Sequence, residues 1–266
     1  MQDNLYWLWL SKIKINNKLE LLQKYKSPAK IWEVNKHKGD ISIFQNHYDY
    51  MKKHNIEMLT IQEDKYPQKL KKIYNPPIVL YIKGNMSILD NKSMGVVGCR
   101  LCTEYGKTVA IHMAYDLAKN NINVISGLAR GIDKYSHMGA IAAKGKTIAV
   151  VGTGLDITYP KENEELAKKI IETGGAIVSE YIVGTKPEKK NFPERNRIVS
   201  GLSDAVIVVE AREKSGTFIT VDYALEQGKD VYAVPGNITS FNSEGTNELI
   251  KEGAKIITNV QDILDL

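Results

Sequence analysis

The sequence predicts an α/β fold, a mostly parallel sheet with helices on both faces, preceded by a small helical module. Three observations lead there. Short apolar, β-branched runs recur at 94–97, 124–125, 147–151, 176–178, 205–209, 231–234 and 255–257, as buried parallel strands require. Helical patterns lie between them. Most of these runs stop on glycine or a small polar residue before the next helix opens. The plainest such junction is Ile125-Ser126-Gly127-Leu128-Ala129-Arg130-Gly131-Ile132-Asp133, an apolar strand breaking at Gly127 and resuming as a helix near Asp133. Glycine lets a backbone approach a phosphate, and the N–H groups of a helix start face it.

Residues 3–55 read as short helices. Leu5, Leu8 and Trp9 share a helical face, as do Leu19, Leu22 and Tyr25. Ser27-Pro28 is a helix start, and Asp40 precedes another helical run through Ile43 and Tyr50. Trp7, Trp9 and Trp32 are core candidates. Residues 1–55 are therefore assigned to a helical module and 56–266 to the sheet domain. Ile56–Thr60 and Ile78–Ile82 read as strands, with a short helix carrying Leu70 and Ile73 between them. Val109, Met113 and Leu117 mark the first helix of the regular region, capped by Thr103. Another helix starts after Asn163 and ends at Gly174. A further one runs from Thr217 to Glu226 and stops at Gly228.

Composition narrows the class. The 266 residues are 43% apolar, with no run approaching the ~20 residues of a membrane helix. Met1-Gln2-Asp3-Asn4 lacks the basic head of a leader peptide. Cys99 and Cys102 have no second pair and read as ordinary thiols of a reducing compartment. A cytoplasmic protein with no membrane partner is expected. The net charge of +5 is uneven: residues 1–90 carry 15 Lys against 9 Asp plus Glu, and the remainder 21 basic against 22 acidic residues. A basic front half suits a polyanion, and equally a solvated helical surface.

Ligands of a parallel sheet sit beyond the carboxyl ends of its strands. Those ends carry Gly98-Cys99-Arg100, Ser126-Gly127 with Arg130-Gly131, Gly152-Thr153-Gly154 with Tyr159-Pro160, Ser179-Glu180, Glu210-Ala211 with Lys214-Ser215-Gly216-Thr217, and Pro235-Gly236-Asn237. Together they predict an anion-binding edge. No Walker loop and no dinucleotide fingerprint is present. Residues 186–197 hold Lys186, Lys189, Lys190, Arg195 and Arg197 against Glu188 and Glu194, with Phe192 among them. Cations interleaved with an aromatic suit single-stranded nucleic acid. On the helix Glu194–Ile198, opened by Pro193, Arg195 and Arg197 point to nearly opposite sides. Arg195 lies nearer the buried face, with Glu180 or Glu210 as candidate partners, and Arg197 is the freer of the two. Ser136 and His137 are helix neighbours facing different ways, so no nucleophile triad is read, and His137 is expected to face the sheet. No metal-ligand spacing and no cofactor motif is found.

Taken in order and spacing, the motifs Gly95–Arg100, Ser126–Asp133 with His137, Gly152–Asp156 with Tyr159-Pro160, Ser179-Glu180, Phe192–Arg197, Ser215–Thr217, Pro235-Gly236, Gly245–Ile250 and Gly253-Ala254 resemble the DNA-processing protein A (DprA/Smf) family over about residues 56–266. The resemblance implies an extended Rossmann-like domain behind a SAM-like helical module. It implies binding of single-stranded DNA without strong sequence preference, homodimers, help in loading the recombinase RecA during natural transformation, and no enzymatic activity. Many members carry a winged-helix domain after this part, and none is read before Leu266. The family's Gly-Ser/Thr-Arg motif falls on Gly98-Cys99-Arg100, where Cys99 lacks the usual hydroxyl. Its basic residue and stacking aromatic fall on Lys190 and Phe192. The expected DNA-binding set is Gly98, Arg100, Ser126, Gly127, Arg130, Gly131, Lys190, Phe192, Arg195, Asn196, Arg197, Ser215, Gly216 and Thr217. The alternative is a nucleotide phosphoribohydrolase on a related core. That family's Pro-Gly-Gly-x-Gly-Thr motif is matched only at Ser215-Gly216-Thr217, and Thr220 stands where its catalytic Glu would be.

Overall fold

Alternation along the strands sends apolar side chains into two different helical layers. In the strand Ala205–Val208 and the residue after it, Val206 and Val208 enter one cluster with Ile198, Val199 and Leu202. Ala205, Ile207 and Val209 enter another with Ala110, Met113, Ala114 and Leu117. A sheet buried on both faces results, as the continuous β-branched runs require.

The computed structural model describes residues 2–15, 17–35 and 39–264. The remaining positions of the expected 1–55 and 56–266 segments, Met1, Asn16, 36–38 and the last two residues, lie outside the described residues. Among those described, nine strands form one sheet. They are β1 (Ile56–Thr60), β2 (Val79–Gly84), β3 (Ser93–Val97), β4 (Asn123–Ser126), β5 (Thr147–Val150), β6 (Ala176–Ser179), β7 (Ala205–Val208), β8 (Asp230–Ala233) and β9 (Lys255–Ile256). The spatial order is β1-β2-β6-β5-β4-β3-β7-β8-β9. Strands β3 to β9 are mutually parallel. Strand β2 is antiparallel to both β6 and β1, so the expected strands at 56–60 and 78–82 form an antiparallel border. The chain steps outward from β3 through β4, β5 and β6, then returns to the other side of β3 for β7.

The helices are α1 (Gln2–Lys12), α2 (Lys18–Tyr25), α3 (Pro28–Val34), α4 (Gln45–Lys53), α5 (Gln68–Lys71), α6 (Glu104–Lys119), α7 (Ile132–Ala142), α8 (Glu164–Glu172), α9 (Asn191–Leu202), α10 (Phe218–Glu226), α11 (Glu244–Lys251) and α12 (Gln261–Leu264). Residues of α6 and α7 cover one face beside β3, β4 and β7, and residues of α9, α10 and α11 cover the other. Helix α8 packs on β5 and β6 through Leu166, Ala167 and Ile170. Thr103 caps α6, accepting from Gly106 N–H at 3.1 Å. Helix α9 starts at Asn191, three residues before the expected Glu194. Pro193 still falls in its first turn, where a missing N–H leaves no bond unmade.

Helices α1 to α4 carry Trp7, Trp9, Leu22, Ile31 and Met51 into the same apolar cluster as Leu80 and Ile82 of β2. Leu80 is fully buried at this seam. Leu80→Ala is expected to lower stability by about 3 kcal/mol, through lost burial and a residual cavity. Thermal unfolding should show a midpoint about 10 °C lower.

Candidate nucleic-acid interface

The loops after β3 and β7 leave the sheet in opposite directions, because β3 leads outward to β4 while β7 leads outward to β8. This divergence opens a crevice at the carboxyl ends, the place where sheets of this kind hold ligands. A cleft of about 490 Å³ lies there. Gly98, Arg100 and Leu101 line it from the loop after β3, and Phe192 and Asn196 from the start of α9. Arg212, Lys214, Ser215, Gly216 and Thr217 line it from the loop after β7. A smaller recess adjoins it, bounded by Arg100, Phe192, Arg130 and Tyr159.

The floor is built from buried charge. Arg195 is buried, and its Nη1 donates to the carbonyls of Gly127, at 2.6 Å, and of Val150. Asp133, also buried, accepts from the N–H of Gly127 at 3.1 Å and of Ala129 at 3.3 Å. A Cβ on Gly127 would stand 2.6 Å from Arg195 Nη1 and 2.6 Å from Asp133 Oδ2, so only glycine fits. Burial pulls the Arg195 guanidinium down to about 10, against the pull of Asp133, and it stays charged at neutral pH. Burial pushes the Asp133 carboxyl up, while Arg195 and the backbone donors draw it back.

The rim is exposed. The Arg100 guanidinium carbon lies 5.8 Å from the Phe192 ring centroid, and Tyr159 sits on the same ring with centroids 5.5 Å apart. Arg130 pairs with Glu162 at 2.8 Å and Lys190 with Glu188 at 2.8 Å, both at the surface. Exposed pairs of this kind contribute about 0–1 kcal/mol, so a phosphate competes for either cation. Ser215 Oγ accepts from Thr217 N–H at 3.2 Å and closes the turn into α10.

Several expectations are corrected. Arg195 pairs with neither Glu180 nor Glu210 but with main-chain carbonyls. Arg197 is the arginine that holds Glu180, through two bonds of 2.8 and 2.6 Å, and its Nε donates to Asn75 O at 3.1 Å. It is buried and not free for a ligand. Glu210 instead accepts from Thr103 N–H at 2.9 Å. Gly127, expected to approach a phosphate, gives its N–H to Asp133, as Ala129 also does. Ser126 is buried and donates to Val96 O at 2.7 Å. Gly131 is buried at φ +70°, where a Cβ would meet Cys99 O at 2.2 Å; it shapes the turn. Cys99 is buried, and burial pushes its thiol up. His137 faces the sheet as expected. Its Nδ1 donates to Thr147 Oγ1 at 2.7 Å, whose own proton goes to Val124 O.

Three contributors, Tyr159, Arg212 and Lys214, lie outside the expected set. Tyr159 ends the β5 loop, and its place in the list of strand-end motifs was the signal for it. Arg212 is held by Asn242 Oδ1 at 2.8 Å, a contact over 30 residues that local pattern does not carry. Among the described residues no group of His, Cys, Asp and Glu is arranged to hold a metal, and no helix is long and apolar enough to cross a membrane.

A sequence profile of the DNA recombination-mediator protein A family matches residues 57–266. The chain belongs to that family. DNA processing protein DprA of Streptococcus pneumoniae is 44% identical over 205 residues, covering 77% of this chain and 72% of that protein. DprA of Bacillus subtilis is 44% identical over 211 residues, covering 79% and 71%. The crystal structure of S. pneumoniae DprA superposes with a TM-score of 0.84 at 37% identity, covering 100% of this chain and 97% of that one. DNA processing protein A from Helicobacter pylori, whose structure concerns its single-stranded DNA binding mode, superposes with a TM-score of 0.71 at 32% identity, covering 80% and 96%. The mostly parallel Rossmann-like sheet is thus the family's fold.

Two measurements check the buried groups. Arg197→Met leaves the half-buried Glu180 without its bidentate partner and is expected to lower stability by about 2 kcal/mol in denaturant unfolding. Adding Glu180→Leu should recover most of that loss. His137 is the second. Burial holds its imidazole at about 3 rather than 6.5. Below pH 6.5 the unfolded chain takes up a proton that the native state refuses. Stability from this group therefore falls by about 1.4 kcal/mol per pH unit on acidification. Between pH 7 and 4.5 the melting temperature of His137→Gln should decline less steeply than that of the parent.

Proposed function

We propose that this chain is a single-stranded DNA-binding mediator of recombination, which protects incoming DNA and helps load the recombinase RecA during natural transformation, working as a cytoplasmic homodimer. The observation that carries the binding reading is the grouping of Arg100, Phe192 and Tyr159 at the crevice between β3 and β7. A cation beside a half-buried ring, with the exposed Tyr159 next to it, suits a phosphate next to a stacked base. Lys190, Arg130, Arg212 and Lys214 extend the charge along the same edge, and Asn196, Ser215, Gly216 and Thr217 supply polar groups of the cleft wall. Membership of the recombination-mediator family and the DNA binding of the H. pylori relative support the same reading, and the RecA and dimer roles rest on family likeness.

The chemistry at the rim favours binding over turnover. Thr220 stands where the phosphoribohydrolase motif needs a glutamate, and its side chain is buried. His137 and Ser136 are buried and bonded to structural partners.

Fluorescence anisotropy with labelled single strands of tens of nucleotides tests this. Arg100→Ala and Phe192→Ala should each weaken binding by about 2 kcal/mol, roughly 30-fold. Affinity should fall steeply with salt. Binding unchanged in both variants would remove the site, and adenine released from adenosine monophosphate at enzymatic rates would favour the hydrolase.

A further inference from the structure

The cations of the cleft belong to loops after β7, β3 and β4, and the basic segment 186–190 continues the row past β6. The sheet goes on beyond β6, and what lies there is the helical module. Tyr81 of β2 stands opposite Ser179, the last residue of β6. Its hydroxyl is 2.8 Å from Ser11 Oγ at the end of α1. The turn from α1 into α2 is thereby pinned to the same carboxyl edge that carries the cleft. Lys18, the first residue of α2, ties the turn closed by donating to Ser11 O at 2.9 Å. Lys14 projects from this turn, exposed, and its charge acts together with that of Lys190 in holding the Glu188 carboxyl low. Lys186, Lys189 and Lys190 of the segment that carries Glu188 are exposed as well. Lys190 pairs with Glu188 at 2.8 Å, and Glu194 also acts on Lys190; the segment 186–190 carries three exposed lysines against Glu188 within it.

We infer that Lys14, in the turn between α1 and α2, is a phosphate contact at the outer end of the DNA track, which makes the helical module an arm of the nucleic-acid surface. The inference rests on the reading of the cleft given above. It gives the uneven charge of the chain a use: the module's basic surface meets the polyanion where the strand leaves the cleft over the 186–190 loop. A strand short enough to fill the cleft alone does not reach Lys14, whereas a longer one does. Contact there is with the backbone, so it adds affinity and salt dependence without sequence preference.

The full chain is titrated with a single strand of tens of nucleotides and with one of about six nucleotides, within the site size of a single binding groove. Lys14→Gln should weaken binding of the long strand about threefold at low salt and lower its salt slope by about 0.7, the loss of one phosphate contact. Binding of the short strand should not change. Glu188→Gln, which removes the competing carboxylate, should strengthen binding of the long strand. Arg100→Ala serves as the reference. If Arg100→Ala weakens binding while Lys14→Gln leaves the long-strand affinity and slope at parental values, the arm is refuted and the cleft stands. If Arg100→Ala itself has no effect, the reading of the cleft fails first. Equal weakening of short and long strands by Lys14→Gln also overturns the arm, because it would place Lys14 within the cleft's own reach.

Discussion

A buried guanidinium holds the site together. Arg195 reaches from α9 under the crevice and binds the carbonyl ends of β4 and β5, while Asp133 at the start of α7 takes the N–H groups of the same β4 loop. A charge this deep costs several kcal/mol to desolvate unless its bonds are satisfied. Two carbonyls and a facing carboxylate offset that cost. The result is a fixed relation among α9, α7 and two strand ends. Arg100 and Phe192, which rest on that frame, are held at one separation. The glycine at 127 follows from this constraint, since both charges stand where any side chain would have to go.

The same accounting explains the division of labour along α9. Its two arginines point to different sides, yet both sides are interior. One faces the sheet, and the other is covered by the Asn75 segment and by Glu180. Helix α9 therefore acts as a beam, and Phe192 and Asn196, from its first two turns, line the cleft. The exposed cations of the crevice come from loops instead, where solvent keeps the charge inexpensive. Arg100, Arg130, Lys190, Arg212 and Lys214 all do.

Much of this was legible in the chain. Strand runs, the Thr103 cap and the glycines at 174 and 228, with φ of +79° and +66°, all follow from local chemistry that sequence records directly. The crevice also follows, because its strand-end motifs are short and close to their strands. The partners of Arg195 and Arg197 were not legible. Helical periodicity gives a direction, but whether that direction meets water or a second layer depends on segments such as Asn75 and Gln227, distant in sequence. The Gly127 loop was misread for a related reason. A free N–H and one satisfied by a carboxylate a few residues on look alike in sequence, since Asp133 suits both a helix dipole and a loop.

If the rim binds a strand as proposed, its chemistry suits sequence-tolerant binding. Reading a base needs paired donors and acceptors aimed at its edge. The polar and aromatic side chains lining the two recesses are mainly cations, hydroxyls and two aromatic rings, with Asn196 the one amide. Cations follow phosphates whatever the base, and a ring stacks on any base. The two arginines that might have supplied bidentate base contacts from α9 are instead committed to carbonyls and to Glu180. On the reading proposed above, that commitment is a gain, because a rigid floor and an indifferent rim would give affinity without preference.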